Sequence, residues 1–202
     1  GTVRLIDPES DWLYYKGYSE PSDPMDAWRL VGFDDSSWDT GQGPIGYGES
    51  VVNETLDDMR GNYTTVYLRK SFYVSNPDDF DTLTVGVLYD DGYNLWINGT
   101  LVASNNVASS ELPYTETADD AIEPGDYELT TVDASDYLVN GSNVIAIQVL
   151  NALLNNSSDC VIDAMLDAEP VSDTANYQLL YTGKPGKYEI EPVWESDEIT
   201  TF

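Results

Sequence analysis

The stretch TVYLRKSFYVS, residues 65–75, alternates apolar and polar positions in the way that is typical of a β-strand. One face of such a strand is apolar and consists of Val66, Leu68, Phe72 and Val74. The other face consists of Tyr67, Arg69, Ser71 and Tyr73. Because successive side chains of a strand point to opposite sides of its sheet, the apolar face must pack against a second layer. Residues 65–75 therefore predict a core strand of a layered β-protein.

Similar stretches, rich in β-branched and aromatic residues, predict further strands at 3–6, 12–16, 82–89, 93–97, 100–103, 144–150 and 161–166. Asn98-Gly99 joins two of them, and this dipeptide favours the two-residue turn of a β-hairpin. The pattern predicts an all-β fold, an antiparallel jelly-roll β-sandwich with long loops at 17–64 and 104–125. Its predicted core consists of Val66, Leu68, Phe72, Val85, Val87, Ile145, Ile147, Ile162 and Leu166.

The chain is strongly acidic, with 37 Asp and Glu against 8 Lys and Arg among 202 residues and a net charge of −29. Nucleic acids and anionic membranes are poor partners for such a chain, because it offers no basic patch to contact their phosphates. No apolar run approaches the roughly 20 residues of a membrane-spanning helix. One interpretation is a solvated acidic surface, as in secreted proteins of a marine or saline setting. The other is that some carboxylates bind Ca²⁺, which prefers several oxygen ligands.

The sequence contains no histidine and a single cysteine, Cys160. These counts exclude Ser-His-Asp and Cys-His catalysis, histidine-ligated zinc and an internal disulfide. Cys160 lies in an alternating apolar stretch, which favours a buried side chain. Two carboxylates could still hydrolyse a glycosidic bond, but among 37 acids some pair always looks suitable. We therefore expect no catalytic residues and no enzymatic activity.

Six Asn-x-Ser/Thr sequons predict N-glycosylation sites, and their density favours a secreted or cell-surface protein. They begin at Asn53, Asn62, Asn98, Asn140, Asn155 and Asn156. Loops rich in Asn and Thr also produce such sequons by chance, so several of them are expected to carry no glycan.

A series of motifs resembles the galactose-binding-like jelly-roll modules of secreted glycosidases, lectins and bacterial surface proteins. In chain order they are WR at 28–29, GFDDSSW at 32–38, GPIGYG at 43–48, YLRKSF at 67–72, DDGYNLWING at 90–99 and LVNGSNVIAI at 138–147. The resemblance covers about residues 11–167. It implies a non-catalytic module that binds carbohydrate, such as a cell-surface glycan, or that serves in adhesion. It also implies a structural Ca²⁺, for which Asp90 and Asp91 are the predicted ligands.

Several of these motif residues also have a structural interpretation. Trp38 is expected to be a buried anchor that packs a loop onto the sandwich. Gly46 and Gly48 indicate backbone positions that need a positive φ or a close approach. Asp90-Asp91-Gly92 is most simply a turn, with the metal site as the functional alternative.

A sugar site needs an exposed aromatic ring that stacks on the sugar, with amides or carboxylates to bind its hydroxyl groups. The candidates on the predicted loops and turns are Tyr47, Tyr63, Tyr93 and Tyr114, with Asn62, Asn105 and Asn106 as polar partners. For each tyrosine the alternative is ordinary half-buried packing.

The composition becomes linker-like at 168–176, which predicts a domain over 1–167 and a linker with a C-terminal extension over 168–202. The extension contains two possible strands at 177–182 and 188–194, and it is unusually apolar for a free tail. Tyr188, Ile190, Trp194 and Phe202 are the residues predicted to dock it, on its own sandwich or on a neighbouring subunit. The second case is the alternative function, a structural subunit of an extracellular filament, sheath or surface layer that forms homo-oligomers through terminal strands.

Overall fold

A computed structural model of the chain describes residues 1–172, 177–180 and 189–192. Its strands are β1 (Val3–Ile6), β2 (Asp11–Lys16), β3 (Asp39–Gln42), β4 (Ile45–Tyr47), β5 (Glu54–Thr55), β6 (Thr65–Val74), β7 (Phe80–Asp90), β8 (Gly92–Ile97), β9 (Thr100–Asn105), β10 (Glu128–Asp133), β11 (Gly141–Leu150), β12 (Cys160–Pro170), β13 (Tyr177–Leu180) and β14 (Glu189–Pro192). Short 3₁₀ turns occur at Ala27–Arg29, Pro77–Asp79 and Ala134–Asp136. The described residues contain no helix long and apolar enough to cross a membrane.

Strands β1–β12 belong to one compact unit, Gly1–Pro170, and form two sheets. Sheet A has the order β10-β7-β12-β4-β5, and β1 pairs with β12 as well. Sheet B has the order β3-β2-β6-β11-β8-β9. All these pairs are antiparallel except the short contact between β4 and β5. The predicted fold class, an antiparallel β-sandwich, is confirmed.

The apolar faces of the two sheets form the core, and all nine of the predicted core residues are buried. β6 and β11 pair over their full lengths, from Val74 opposite Gly141 to Thr65 opposite Leu150. In this register the apolar faces of both strands point to the same side of the sheet. A shift of either strand by one residue would turn its apolar face to the outside. The alternation in residues 65–75 therefore fixes the centre of sheet B.

The outer face of sheet B is buried as well, under the segment that precedes β3. Trp28, Trp38, Tyr67 and Trp96 form a second hydrophobic cluster on this face. The ring of Trp28 meets that of Trp96 edge to face, with 5.6 Å between centroids. Trp38 is thus the buried anchor that the sequence predicted.

Two expectations about turns and loops have different outcomes. Asn98 and Gly99 both have positive φ, 52° and 84°, and they close the β8–β9 hairpin as predicted. The segment 17–64 is not one loop, because it contains β3, β4 and β5. These strands are short and lack apolar alternation, so the sequence pattern did not reveal them. β10 was also missed, because its leucine and its valine are separated by two threonines and do not alternate with polar residues.

The residues from Val171 onwards form a second compact unit. Its described part is an antiparallel pair, β13 with β14, in which Ile190 lies opposite Leu179. Tyr188, Trp194 and Phe202, which the sequence assigned to assembly, lie outside the described residues. Strand β12 extends to Pro170, slightly beyond the domain boundary expected at residue 167.

Candidate functional site

Three acidic residues meet at one end of sheet A. Glu49 follows β4, Asp90 is the last residue of β7, and Asp159 directly precedes β12. They come together because β12 pairs with both other strands, with Cys160 opposite Tyr47 and Val161 opposite Asp90. One carboxylate oxygen of each acid lies within 4.8 Å of the others. We call Glu49, Asp90 and Asp159 the acidic cluster.

Gly48 allows Glu49 to approach Asp159. Its φ is +84°, and a Cβ at this position would lie 2.7 Å from the Cα of Asp159 and also too close to the carbonyl oxygen of Ser158. Both features require glycine, because other residues rarely adopt this conformation and none fits the space. Gly46 packs equally tightly against the backbone of Cys160. The sequence-based expectation for the two glycines is confirmed.

Asp90 is the most unusual member of the acidic cluster. Its side chain is 0% exposed, and neither carboxylate oxygen has a hydrogen-bond partner among the described residues. Burial raises the pKa of Asp90 well above its usual range, and the charges of Asp91 and Asp159 raise it further. Glu49 and Asp159 are half-buried, so the cluster leads from the interior to the surface.

Asp91 is also buried, but it has a different environment from Asp90. Its carboxylate accepts hydrogen bonds from the backbone amides of Ile122, at 2.9 Å, and Ala152, at 2.6 Å. These bonds tie the turn after β7 to two loops. The sequence named Asp90 and Asp91 together as metal ligands, whereas the structure places only Asp90 in the acidic cluster and uses Asp91 as a structural acceptor.

The chemistry of the acidic cluster fits a hard cation. All three side chains offer oxygen atoms, which calcium and magnesium prefer. Cys160 is adjacent in sequence, but burial raises the pKa of its thiol well above the usual range, so it does not supply a thiolate. A catalytic pair of carboxylates is a poorer fit, because a fully buried Asp90 has no surface on which a sugar could bind.

A second candidate site is an aromatic surface made by Tyr15, Tyr18 and Tyr114, with the buried ring of Tyr63 beside that of Tyr18. The side chain of Tyr18, directly after β2, is 54% exposed. Its ring centroid lies 4.7 Å from that of Tyr63, and its hydroxyl donates a hydrogen bond to Asp58 at 3.1 Å. Tyr63 donates to the same carboxylate, at 2.9 Å. The exposed ring is therefore held in one orientation.

Two shallow pockets are lined in part by residues of this aromatic surface. One is lined by Tyr15, Tyr18 and Trp38, and the other by Gly17, Asn62, Tyr63 and Tyr114. The second pocket thus brings together three sequence-predicted residues, Asn62, Tyr63 and Tyr114. The ring of Tyr63 is buried, however, so it supports Tyr18 and offers no free face for a sugar. Tyr18 itself was missed, and its position in a Gly-Tyr-Ser sequence at the end of a strand was the available signal.

The remaining sequence-predicted sugar ligands lie elsewhere. Tyr93 is fully buried against Tyr89, and Tyr47 is buried with its hydroxyl bonded to Asn151 and Ser157. Their rings offer no exposed face, which removes both from the candidate sugar site. Asn105 donates to Glu128 at 3.0 Å on the β9–β10 side of the molecule. Asn106 bonds within its own loop and to Asp91.

The six sequons differ in how their side-chain amides are used. The amides of Asn53, Asn62, Asn98 and Asn140 donate hydrogen bonds to backbone or side-chain oxygens. Asn98 is the most constrained, since it also donates to Asn143 at 2.7 Å. Asn155 and Asn156 have exposed side chains in the segment 151–159. N-glycosylation at all six stays a prediction, and these two are the most accessible.

No protein-family model and no curated protein matches the sequence. Among solved structures, a glycosyl hydrolase family 2 member from Bacteroides cellulosilyticus is similar, with a TM-score of 0.52 and 18% identity, over 83% of this chain and 21% of that one. A calcium-binding mutant of Bacteroides uniformis beta-glucuronidase 2 matches with a TM-score of 0.54 and 17% identity, over 84% and 18%. A beta-glucuronidase from an uncultured Clostridium sp. gives 0.53 and 14%, over 95% and 34%.

These similarities concern the fold. At such identities a common β-sandwich does not transfer an activity. The chain also spans only about a fifth to a third of the lengths of these glycosidases.

Proposed function

We propose that this chain is a non-catalytic carbohydrate-binding or adhesion domain that acts outside the cell. The observation that carries the proposal is the exposed ring of Tyr18, which contacts Tyr63 and Asp58 and lines a shallow pocket. A pre-oriented aromatic ring binds the apolar face of a sugar at a low cost in conformational entropy. The galactose-binding-like motifs and the likeness to parts of glycosidase chains support carbohydrate as the ligand class.

The absence of catalysis in this proposal rests on the sequence and on burial. The chain has no histidine, and the acidic cluster places its central acid out of reach of a sugar. The extracellular location rests on the net charge of −29 and the six sequons. Such a charge keeps a protein soluble in salt, and it repels anionic polymers. We therefore expect the sugar ligand to be neutral.

The alternative function, a structural subunit, depends on terminal strands that pair with other chains. β1, the strand at the N-terminal side, pairs with β12 of its own chain, from Val3 opposite Ala168 to Ile6 opposite Leu166. This pairing favours a self-contained domain. Assembly through the C-terminal extension remains a second proposal, and it predicts that truncation after Asp173 leaves a folded chain that no longer oligomerises.

The sugar-binding proposal is tested by affinity electrophoresis and calorimetry with neutral galactan, xylan and β-glucan. We expect at least one of them to bind, and Tyr18→Ala to weaken binding about tenfold or more, which is about 1.4 kcal/mol. Tyr73→Ala is the matched control, because Tyr73 is 69% exposed on β6 and lies outside both pockets. No binding by the wild-type chain, or equal losses in the two variants, would contradict the proposal.

We also propose that this domain carries calcium in a structural role. The acidic cluster offers the oxygen ligands that calcium prefers. One of the similar solved structures is described as a calcium-binding mutant of a beta-glucuronidase. A calcium-dependent rise in melting temperature tests this proposal, because an ion that binds only the native state stabilises it by mass action.

A further inference from the structure

No salt bridge within residues 1–172 includes a member of the acidic cluster. The ion pairs in this part of the chain are Arg4–Asp167, Lys16–Asp58, Arg29–Glu111 and Arg69–Asp35. Like charges at this separation disfavour the ionised forms of the acids unless a cation lies between them.

Asp90 distinguishes this cluster from an ordinary acidic surface. Its carboxylate is completely buried, and both oxygens lack a hydrogen-bond donor among the described residues. A buried polar group without a partner costs free energy, and native structures rarely keep one without a reason. Carboxylate oxygens of Glu49 and Asp159 lie within 4.8 Å of a carboxylate oxygen of Asp90. A cation is the ligand class that satisfies all three.

We propose that Glu49, Asp90 and Asp159 bind a single Ca²⁺ ion, which joins three separate segments at this end of the sandwich. Each carboxylate can bind calcium through one or both oxygens, so the cluster supplies roughly three to six of the six to eight ligands that calcium takes. This assignment rests on the proposed calcium cofactor and is independent of the proposed sugar binding.

The segments that the ligands belong to define the role of the ion. Asp159 ends the loop 151–159, which is buried and hydrogen-bonded at Asn151 and Ala152 but exposed at residues 153–156. Glu49 lies in the connection between β4 and β5, whereas Asp90 is fixed in β7. An ion held by Asp90 therefore fastens two loops to a core strand. We expect it to slow hydrogen exchange most in residues 151–159.

The experiment compares the full chain after EDTA treatment with the same chain in CaCl₂ or MgCl₂. Calorimetry should give one calcium ion per chain. At calcium 100-fold above its Kd, the melting temperature should rise by roughly 5–10 °C. Magnesium should give a smaller rise, because it demands a stricter octahedral geometry and gives up its water reluctantly.

Variants then locate the ion. Asp90→Asn should abolish the calcium-induced rise, and Glu49→Gln, at the half-buried rim of the cluster, should weaken calcium binding at least tenfold. Asp163→Asn is the matched control, because Asp163 is equally buried on the adjacent strand but lies outside the cluster. It should keep the full calcium response. Hydrogen exchange of 151–159 should respond to calcium in the wild type and in Asp163→Asn only.

The outcomes separate the two levels of the proposal. A wild-type chain that shows no response to calcium overturns both the cofactor and the site. A wild-type response that Asp90→Asn and Glu49→Gln retain overturns the assignment to these residues while the cofactor stands. An equal loss in Asp163→Asn also overturns the assignment, because the effect would then follow from any buried acid. An equal rise with magnesium overturns the choice of calcium.

Discussion

Asp90 and Asp163 are both completely buried acids on adjacent strands of sheet A, and they have opposite surroundings. Oδ2 of Asp163 accepts hydrogen bonds from the backbone N–H of Glu9, at 2.7 Å, and from the hydroxyl of Tyr127, at 2.5 Å, and only its Oδ1 lacks a partner among the described residues. Asp90 has no donor among the described residues and has two carboxylates beside it. Hydrogen-bond donors around a buried acid indicate a structural acceptor, whereas acids around it indicate a cation site. Burial alone does not separate the two.

Gly43 packs against Asp163, and Gly48 packs against Asp159, the neighbour of Asp90 in the acidic cluster. Replacing these two glycines tests the comparison most strongly. A Cβ at Gly48 would collide with the backbone of Ser158 and Asp159 at a φ of +84°, so Gly48→Ala should cost about 2–5 kcal/mol of unfolding free energy. A Cβ at Gly43 would instead collide with the side chain of Asp163, and Gly43→Ala should cost about 1–3 kcal/mol.

Urea denaturation in EDTA measures both costs, and a calcium titration of each variant gives the sharper result. Gly48→Ala should lose its calcium response, because the substitution moves Glu49 away from Asp159. Gly43→Ala should keep it. Unchanged stability in Gly48→Ala would show that the loop at Ser158 adapts freely, and the geometric basis of the acidic cluster would then be wrong.

Replacing the acids themselves should give effects of opposite kind. In EDTA, Asp163→Asn should lower the free energy of unfolding by about 1–3 kcal/mol, because the Glu9 N–H and the Tyr127 hydroxyl both lose their charged acceptor. Asp90→Asn should lie within about 0.5 kcal/mol of the wild type or be more stable, since it removes a buried acid that lacks a hydrogen-bond partner and lies beside other acids. Chemical denaturation of the two variants and the wild type in EDTA measures these changes in the free energy of unfolding. A loss of several kcal/mol in Asp90→Asn without calcium would mean that Asp90 has a structural partner after all.

Strand β6 and the neighbouring residues Asp90 and Asp91 show which features could be predicted from the sequence and which could not. Residues 65–75 predicted β6 because strand formation leaves a local pattern, and Asn98-Gly99 predicted a hairpin for the same reason. Asp90 was predicted as a metal ligand from a resemblance, but its partners Glu49 and Asp159 are distant in sequence and meet only through the pairing of β4, β7 and β12. Asp91 has the same residue type one position later, and only the loops at Ile122 and Ala152 reveal its different role.

The smallest expected effect on the free energy of unfolding comes from removing the hydroxyl of Tyr127. The direction in which this effect changes with pH follows from the pKa of Asp163. Burial raises the pKa of Asp163 above its usual value, and the hydrogen bonds from Tyr127 and Glu9 offset part of that rise. An acid whose pKa is raised in the folded state stabilises the fold fully below its unfolded pKa, and this stabilisation is lost as the pH rises through the folded pKa. Tyr127→Phe removes a bond to the charged form and should raise the pKa of Asp163 further. The variant should therefore be nearly as stable as the wild type near pH 3.5, where Asp163 is protonated, and less stable by about 1 kcal/mol at neutral pH.

Urea denaturation in EDTA between these pH values measures the difference, in which the titration of Asp90 cancels because both proteins share it. Tyr73→Phe, at a 69% exposed position, should show no difference at any pH. A cost of Tyr127→Phe that is constant with pH, or larger in acid, would mean that this hydroxyl does not stabilise the ionised form of Asp163. The interpretation of Asp163 as a buried acid stabilised by hydrogen-bond donors would then be wrong.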